Sequence, residues 1–166
     1  EREIDREVMK TAAGSFIRRF DREYGGFGNA PKFPAPHNLM FLLRYAIYEN
    51  SARAIGMVEK TLEAMYRGGL FDHIGYGFSR YSTDNKWLVP HFEKMLYDNA
   101  LLTIAYLEAY QVTGRELYKN VAEKVLQYVS REMRSPEGAF YSAQDADSEG
   151  VEGRYYLLSP REVEEV

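Results

Sequence analysis

Hydrophobic and polar residues follow two helical patterns along this chain. One pattern is a single apolar stripe with charges opposite, which is typical of a helix with one face in solvent. It occurs at residues 2–20, 52–66 and 115–133. The other pattern is apolar on almost every side, which indicates a buried helix, and it occurs at residues 37–49 and 91–112. The sequence therefore predicts outer and inner helices in alternation.

The connections between these helices alternate in length as well. Long loops, at residues 21–36 and 68–90, lead from an outer to an inner helix, and a third follows at 134–158. The turns after the inner helices, at Asn50-Ser51 and Thr113-Gly114, are short. Because antiparallel helices alternate in direction, all three long loops must lie on one face. This predicts an all-α fold, a partial α/α toroid of antiparallel helical hairpins with small β-hairpins in the long rim loops.

The two ends of the chain predict that the domain is incomplete. The sequence of 166 residues starts within a charged helix and stops just after Ser159-Pro160-Arg161-Glu162, a capping box with proline at the first helical position. We therefore expect residues 1–166 to form a single incomplete domain that belongs to a longer protein. Its end helices would expose apolar faces, so we expect the isolated piece to self-associate.

Composition indicates which classes of binding partner and which cellular compartment to expect. The net charge is −4 with no block of like charges, which argues against a nucleic-acid partner. No stretch is long and apolar enough for a membrane span, so we expect no membrane partner. The absence of cysteine excludes disulfides and thiolate catalysis, and it favours a cytoplasmic location.

Residues 68–99 concentrate most of the chemically interesting side chains. Strands at 77–82 and 87–89 are predicted on either side of a turn at 83–86. Pro90 suits the first turn of a helix, which predicts that the following inner helix starts there.

On that predicted helix, His91, Lys94 and Asp98 share one face. His91 and Asp98 could then form an imidazole–carboxylate pair that transfers protons near neutral pH. The alternative is a structural pair, in which Asp98 holds Arg80 or a loop amide.

Two further groups of side chains in this stretch have both a functional and a structural interpretation. Asp72 and His73 lie in a glycine-flanked loop and are second candidates for catalysis, unless their hydrogen bonds fasten the loop. Arg80, Tyr81 and Trp87 could contact a sugar or an anion, whereas the two aromatic rings could instead pack the hairpin.

The third long loop contains the acidic segment 145–150. It mimics the first half of a calcium loop, but Tyr156 stands where the bidentate glutamate belongs, so we expect no metal. Strands at 139–142 and 154–158 are predicted around it. Asp145 is a further catalytic candidate. Gly75-Tyr76-Gly77 lacks the third glycine of a dinucleotide site, and we expect no cofactor.

Three long motifs resemble one known family. They are GGFGNAPKFPAP from Gly25, FDHIGYGFSRYSTDNKWLVPHFEKMLYDNALL from Phe71, and GAFYSAQDADSEGVEGRYYLLS from Gly138. They resemble the thioredoxin-domain-containing family typified by spermatogenesis-associated protein 20. The resemblance implies an (α/α)6 domain, similar to N-acylglucosamine 2-epimerases and six-hairpin glycosidases, that follows a thioredoxin-like domain. This chain would be the N-terminal portion of that toroid, with the thioredoxin-like domain absent.

By analogy with that fold, we expect general acid–base chemistry on a small-molecule carbohydrate. The residues expected to bind substrate share a place on the predicted rim: Arg80, Tyr81, Trp87, Glu93, Lys94, Tyr97, Gln144, Asp147, Asn29, Lys32 and His37. Lys32 lies between prolines and could instead be a solvent-facing charge. The alternative function is a non-catalytic domain that binds a ligand or client for an attached thioredoxin-like module. A third possibility is that the piece does nothing alone.

Overall fold

The computed structural model describes residues 6–164 of the chain. Its helices are α1 (Arg6–Arg19), α2 (Pro36–Glu49), α3 (Ala52–Arg67), α4 (Leu96–Thr113), α5 (Glu116–Glu132) and α6 (Pro160–Glu164). Its strands are two residues each: β1 (Tyr81–Ser82), β2 (Pro90–His91), β3 (Lys94–Met95), β4 (Ala143–Gln144), β5 (Asp147–Ser148) and β6 (Val151–Glu152). The predicted all-α fold with small β-hairpins in its long loops is confirmed. Residues 1–5 of the predicted first helix lie outside the described part.

The core lies between the inner helices α2 and α4 and the outer helices α3 and α5. Helix α4 packs against α2 and α5, and α2 packs against α3. The Tyr106 hydroxyl of α4 donates to the Leu62 carbonyl of α3 at 2.7 Å, which ties the two layers together. The inner helices are less buried than predicted, because Ile47 and Tyr48 of α2 remain 66% and 56% exposed. Arg6 of α1 lies over the Tyr48 ring, 4.7 Å from its centre, and covers it only in part.

Several helix ends lie close to where the sequence predicts them, and local capping interactions mark them. Helix α3 starts after Ser51, whose side chain accepts a hydrogen bond from the Ala54 amide. The inner helix α4 ends at Thr113, and the following Gly114 adopts the left-handed conformation with φ 69° and donates to the Tyr110 carbonyl. The capping box is also present, because the Ser159 amide donates to Glu162 Oε2 at 2.7 Å.

The predicted start of α4 is wrong by several residues. Residues 90–95 are extended, because β2 pairs with β1 and β3 pairs with β4. These strand pairings satisfy the backbone of the segment that Pro90 was expected to start as a helix. His91 and Lys94 therefore precede α4, and the prediction that they share a helical face with Asp98 is wrong.

The two predicted hairpins exist, but with other strands. In the central loop, β1 pairs with residues 90–91 rather than 87–89. In the third loop, β5 and β6 enclose Glu149 and Gly150, which both have positive φ (53° and 77°), as a two-residue type I′ turn requires. Residues 139–142 and 154–158 do not form the predicted pair of strands. Instead, Arg154–Tyr156 is a 3-10 turn.

The three long loops contact one another along one rim, as the alternation of helices predicts. Lys32 of the first loop bridges Ser82 of the second through two backbone hydrogen bonds of 2.8 and 2.9 Å. Lys94 of the second loop pairs with Gln144 of the third. The rim is thus one connected surface built by all three loops.

Candidate functional site

Two of the rim loops open with the same structure, which we name the lysine turn. In the first lysine turn, Asp21 Oδ1 accepts hydrogen bonds from the Glu23 and Tyr24 amides, each 2.9 Å long. Lys32 then closes the turn, because its Nζ donates to Asp21 Oδ2 at 2.6 Å and to the Gly25 carbonyl at 2.8 Å.

The second lysine turn repeats these bonds at Asp72. Its Oδ1 accepts from the Ile74 and Gly75 amides at 2.9 and 2.8 Å. Lys94 Nζ donates to Asp72 Oδ2 and to the Tyr76 carbonyl, both at 2.8 Å. Lys32 and Lys94 were predicted to bind substrate, and Lys32 was alternatively expected to face solvent. Both are instead buried and hold loops together.

Lys94 is buried, so its ammonium group loses the hydration that stabilises the charge of an exposed lysine. Its Nζ lies 4.6 Å from the centre of the Tyr128 ring and 5.0 Å from that of Tyr156. Burial lowers the pKa of Lys94, although the pairing with Asp72 opposes that shift. Burial raises the pKa of Asp72, but hydrogen bonds from Lys94 and the turn amides outweigh it, so the net pKa is lowered.

Trp87 also belongs to the scaffold of the rim. Its side chain has no exposed surface, and its Nε1 donates to the Tyr24 carbonyl at 3.0 Å. A Cβ atom on Gly26 would lie 2.6 Å from the indole ring, so only glycine fits there. The structure therefore does not support the predicted contact between this ring and a sugar.

Arg80, Glu93 and Asp98 form the part of the rim that we name the arginine cluster. Arg80 is bound twice to Glu93: its Nη1 donates to the carboxylate at 2.8 Å, and its amide donates to the Glu93 carbonyl at 2.8 Å. Within residues 6–164, buried Arg80 Nε and Asp98 Oδ2 have no hydrogen-bond partner. Buried polar atoms without a partner are rare in folded proteins, and each calls for an explanation such as a catalytic role or a bound water or ion.

Asp98 is the most strongly perturbed carboxyl group of this cluster. Burial raises its pKa from 3.8 to about 6, although the positive charge of Arg80 opposes the shift. The residue is only 8% exposed and lies in the first turn of α4. A carboxyl group with this pKa can give or take a proton near neutral pH.

His91 borders the arginine cluster without pairing with Asp98. Its Nδ1 lies 2.6 Å from Glu152 Oε1, and its Nε2 lies 3.8 Å from Glu93 Oε2. Its ring stacks on Tyr81 with 4.9 Å between ring centres. The rim thus places two groups suited to proton transfer, Asp98 and His91, on either side of the Arg80–Glu93 ion pair.

His73 lies apart from this cluster, at an apolar cavity of about 360 Å³. Its ring packs against Tyr66 and Phe71, each 5.3 Å away between ring centres. Asp72 also lines the cavity, but its carboxylate is engaged by the second lysine turn. Among the residues described, no hydrogen bond joins Asp72 or His73 to the arginine cluster.

The remaining predicted residues are spread over the rim. Tyr97, in the first turn of α4, is 49% exposed, and its side chain interacts with Arg80 and Asp98 of the arginine cluster. Gln144 Oε1 accepts a hydrogen bond from the Tyr128 hydroxyl at 2.7 Å, so it supports the second lysine turn. The others have exposed side chains, with no contact to the arginine cluster among the interactions described: Asn29, His37, Asp145 and Asp147.

Sequence reasoning missed one residue of the site, Glu152. It follows Gly150-Val151, and its carboxylate reaches a histidine 61 residues earlier in the chain. The dipeptide Glu149-Gly150 could have signalled a hairpin whose second strand carries Glu152 to the rim. Among residues 6–164, no three His, Asp or Glu side chains are grouped closely enough to hold a metal ion. In the same part of the chain, no helix has the length and apolar character needed to cross a bilayer.

The fold is similar to those of solved sugar epimerases and glycosidases. A cellobiose 2-epimerase from Bacillus thermoamylovorans matches with a TM-score of 0.73 and 15% identity, over 84% of this chain and 40% of that protein. An unsaturated glucuronyl hydrolase specific for heparin matches with a TM-score of 0.67 and 15% identity, over 83% of this chain and 42% of that protein. The chain is therefore a protein of the α/α toroid class that these carbohydrate-processing enzymes share.

Sequence comparison is more specific than the fold. No protein-family model matches the chain. Spermatogenesis-associated protein 20 from Homo sapiens is 48% identical over 157 residues, covering 89% of this chain and 20% of the human protein. The protein of the same name from Mus musculus is 45% identical over 179 residues, covering 98% of this chain and 23% of that protein. The chain belongs to the family of spermatogenesis-associated protein 20, and it spans about a quarter or less of these relatives' length.

Proposed function

We propose that the arginine cluster and His91 perform general acid–base chemistry on a carbohydrate, of the kind that epimerases and glycosidases use. The observation that carries this proposal is the unpaired carboxylate oxygen Oδ2 of Asp98. Asp98 is buried, its pKa is about 6, and its Oδ2 has no hydrogen-bond partner among residues 6–164. A ligand hydroxyl could complete the hydrogen bonds of Asp98, and an oxygen of the same ligand could accept from Arg80 Nε.

The proposed division of labour follows from the charges. Arg80 would hold a sugar oxygen while Glu93 fixes the guanidinium in place. Asp98 and His91 would move protons at neighbouring positions of the sugar, because a carboxyl group with a pKa of about 6 and an imidazole are both suited to general acid–base catalysis. Tyr97 would offer its exposed ring to the sugar, and Tyr81, packed against Phe33 and His91, would offer its hydroxyl.

Proton exchange into the sugar tests this function. The protein is incubated with a panel of reducing disaccharides and glycosides in deuterated water. Epimerase-type chemistry places deuterium next to the carbonyl carbon, whereas hydrolysis releases a new reducing end. Asp98→Asn should slow either reaction by roughly 100-fold or more, since general acid–base groups contribute on that order. Glu123→Gln, an exposed change on α5, is the matched control. Unchanged turnover in Asp98→Asn would remove Asp98 from the chemistry.

A second candidate function is a non-catalytic domain that binds a ligand or client beside a thioredoxin-like module. Exposed apolar residues around the rim cavity favour it: Ile74 is 89% exposed, Leu88 59% and Leu157 62%. Apolar patches of this kind often bind other proteins. Tight binding of an unfolded or oxidised client, without turnover of any sugar in the panel, would favour this function over the first.

The context of the chain is also part of the proposal. We propose that the chain forms the first portion of a six-hairpin toroid behind a thioredoxin-like domain, and that the protein acts in the cytoplasm. The exposed residues of α2 and α4 would then be covered by further hairpins or, in the isolated piece, by self-association. Sedimentation that shows a monomer at high concentration would contradict the self-association.

A further inference from the structure

The His91 ring is held from two directions by neighbouring parts of the rim. Tyr81 and His91 are directly opposite in the β1–β2 pair, and their rings stack with an angle of 22° between planes. Tyr81 in turn packs against Phe33 of the first loop, with 4.8 Å between ring centres. The face of the imidazole is therefore fixed by a stack of side chains from two loops.

The edge of the ring is fixed by the third loop. Glu152 Oε1 lies 2.6 Å from His91 Nδ1. A carboxylate only accepts hydrogen bonds, so Nδ1 carries the proton and the neutral ring keeps a free lone pair at Nε2. Among the residues described, Nε2 makes no hydrogen bond, and the Glu93 carboxylate at 3.8 Å is beyond hydrogen-bonding distance.

Local backbone features deliver Glu152 to this position. The type I′ turn at Glu149 and Gly150 returns the chain into β6. The next residue, Gly153, has φ 74°, and a Cβ atom there would lie 2.4 Å from the Phe92 ring. Only glycine therefore allows β6 to dock beside Phe92, the residue that follows His91. The carboxylate is half exposed, but its backbone is fixed.

We propose that Glu152 is the positioning residue of His91, and that the two form a dyad presenting Nε2 as the proton acceptor of the rim site. The proposal rests on the proposed acid–base function. A sugar hydroxyl transfers its proton to Nε2, and its bonding electron pair stays on the oxygen. The Glu152 carboxylate stabilises the resulting imidazolium. The other charged group near the ring is Glu93. Its negative charge is balanced by its ion pair with Arg80.

The tautomer of His91 tests the dyad independently of any turnover. In protein labelled with ¹⁵N-histidine, NMR of the neutral ring should show the proton on Nδ1 of His91. Glu152→Ala should shift it to Nε2, the tautomer that free histidine prefers. Glu152→Gln should keep it on Nδ1, because the amide oxygen still accepts the hydrogen bond. Glu149→Gln, a carboxylate on the same hairpin that pairs with Arg154 instead, is the matched control and should change nothing.

Kinetics then separate positioning from binding. With a sugar that the protein turns over, Glu152→Gln should lower kcat by roughly 10–100-fold, because the neutral amide keeps the tautomer but no longer stabilises the imidazolium. KM should stay unchanged, and Glu152→Asp should restore part of kcat. A proton on Nε2 in the unsubstituted protein, or an Nδ1 tautomer that persists in Glu152→Ala, would overturn the dyad. If the tautomers behave as expected but no sugar is turned over, the proposed function fails and the positioning role stands.

Discussion

The lysine turns and the arginine cluster are two buried polar regions of one rim, and they differ in how completely their atoms are bonded. Lys32 uses its three donors on Asp21, the Gly25 carbonyl and the Asn85 carbonyl, all within 2.8 Å. Asp98 Oδ2, by contrast, has no partner among residues 6–164. Both regions are rich in charge, but only the second has unfilled hydrogen-bonding capacity.

This difference indicates that the lysine turns belong to the structural scaffold, whereas the arginine cluster is the candidate site. Breaking a fully bonded buried ion pair destabilises a protein, because removing one partner strands the other without water. A buried carboxyl oxygen without a partner costs stability, and folded proteins often retain such groups where a ligand or a reaction uses them. Changes in the two regions should therefore move stability in opposite directions.

The largest effect is expected in the first lysine turn. Lys32→Met leaves the Asp21 carboxylate and the carbonyls of Gly25 and Asn85 without their donor, and breaking a buried pair costs about 3–5 kcal/mol. Urea unfolding of the purified protein measures this loss. Lys60→Met, at an exposed lysine of α3, is the control and should be near neutral. Equal effects of both changes would contradict the structural role of Lys32.

A slightly smaller loss is expected in the second lysine turn. Lys94→Met should cost about 3 kcal/mol, because Asp72 loses its partner as before. The thioether can still pack between the rings of Tyr128 and Tyr156, which partly offsets the loss. The same unfolding experiment compares the two lysines. A loss that clearly exceeds that of Lys32→Met would show that the aromatic rings need the charge.

In the arginine cluster, Asp98→Asn should raise the free energy of unfolding, and the size of this gain should depend on pH. The pKa of Asp98 is about 6 in the folded protein against an ordinary 3.8, so the folded state binds the extra proton between these values. Stability from this group is therefore present at low pH and is lost as pH rises through 6, by about 2–3 kcal/mol. Asp98→Asn removes that loss, so the variant should gain on the parent protein between pH 4 and pH 7. A constant difference across this range would refute the raised pKa.

The smallest effect is expected at an exposed ion pair. Arg44 of α2 bonds Glu108 of α4, but the arginine side chain is 69% exposed. Arg44→Ala should leave the unfolding midpoint unchanged within error, because exposed pairs are screened by water and salt. A loss comparable to that of Lys94→Met would mean that bonding geometry matters more than burial.

Much of the helical framework could be predicted because its signals are local. The stripes at 52–66 and 115–133 match α3 (Ala52–Arg67) and α5 (Glu116–Glu132) within two residues. The start of α4 could not be predicted in this way. Residues 90–95 are extended because they pair with strands elsewhere in the chain, and the helix-starting preference of Pro90 loses to those pairings.

The chemistry of the rim was harder to predict for a similar reason. Both lysine turns begin with the same dipeptide, Phe20-Asp21 and Phe71-Asp72, so the turns themselves recur in the sequence. The lysines do not recur at a fixed position, because Lys32 lies 11 residues after Asp21 and Lys94 lies 22 residues after Asp72. With no fixed spacing, the lysines looked like candidates for substrate binding. Glu152 was missed because its partner His91 is 61 residues away.

The burial of Trp87 gives the protein a built-in optical reporter. It is the only tryptophan of the chain, and its indole is enclosed where the first loop crosses the central loop. Its fluorescence therefore reports the contact between these two loops rather than the average state of the molecule. Separation of the loops would expose the indole to water and shift its emission to longer wavelength, even while every helix remained intact.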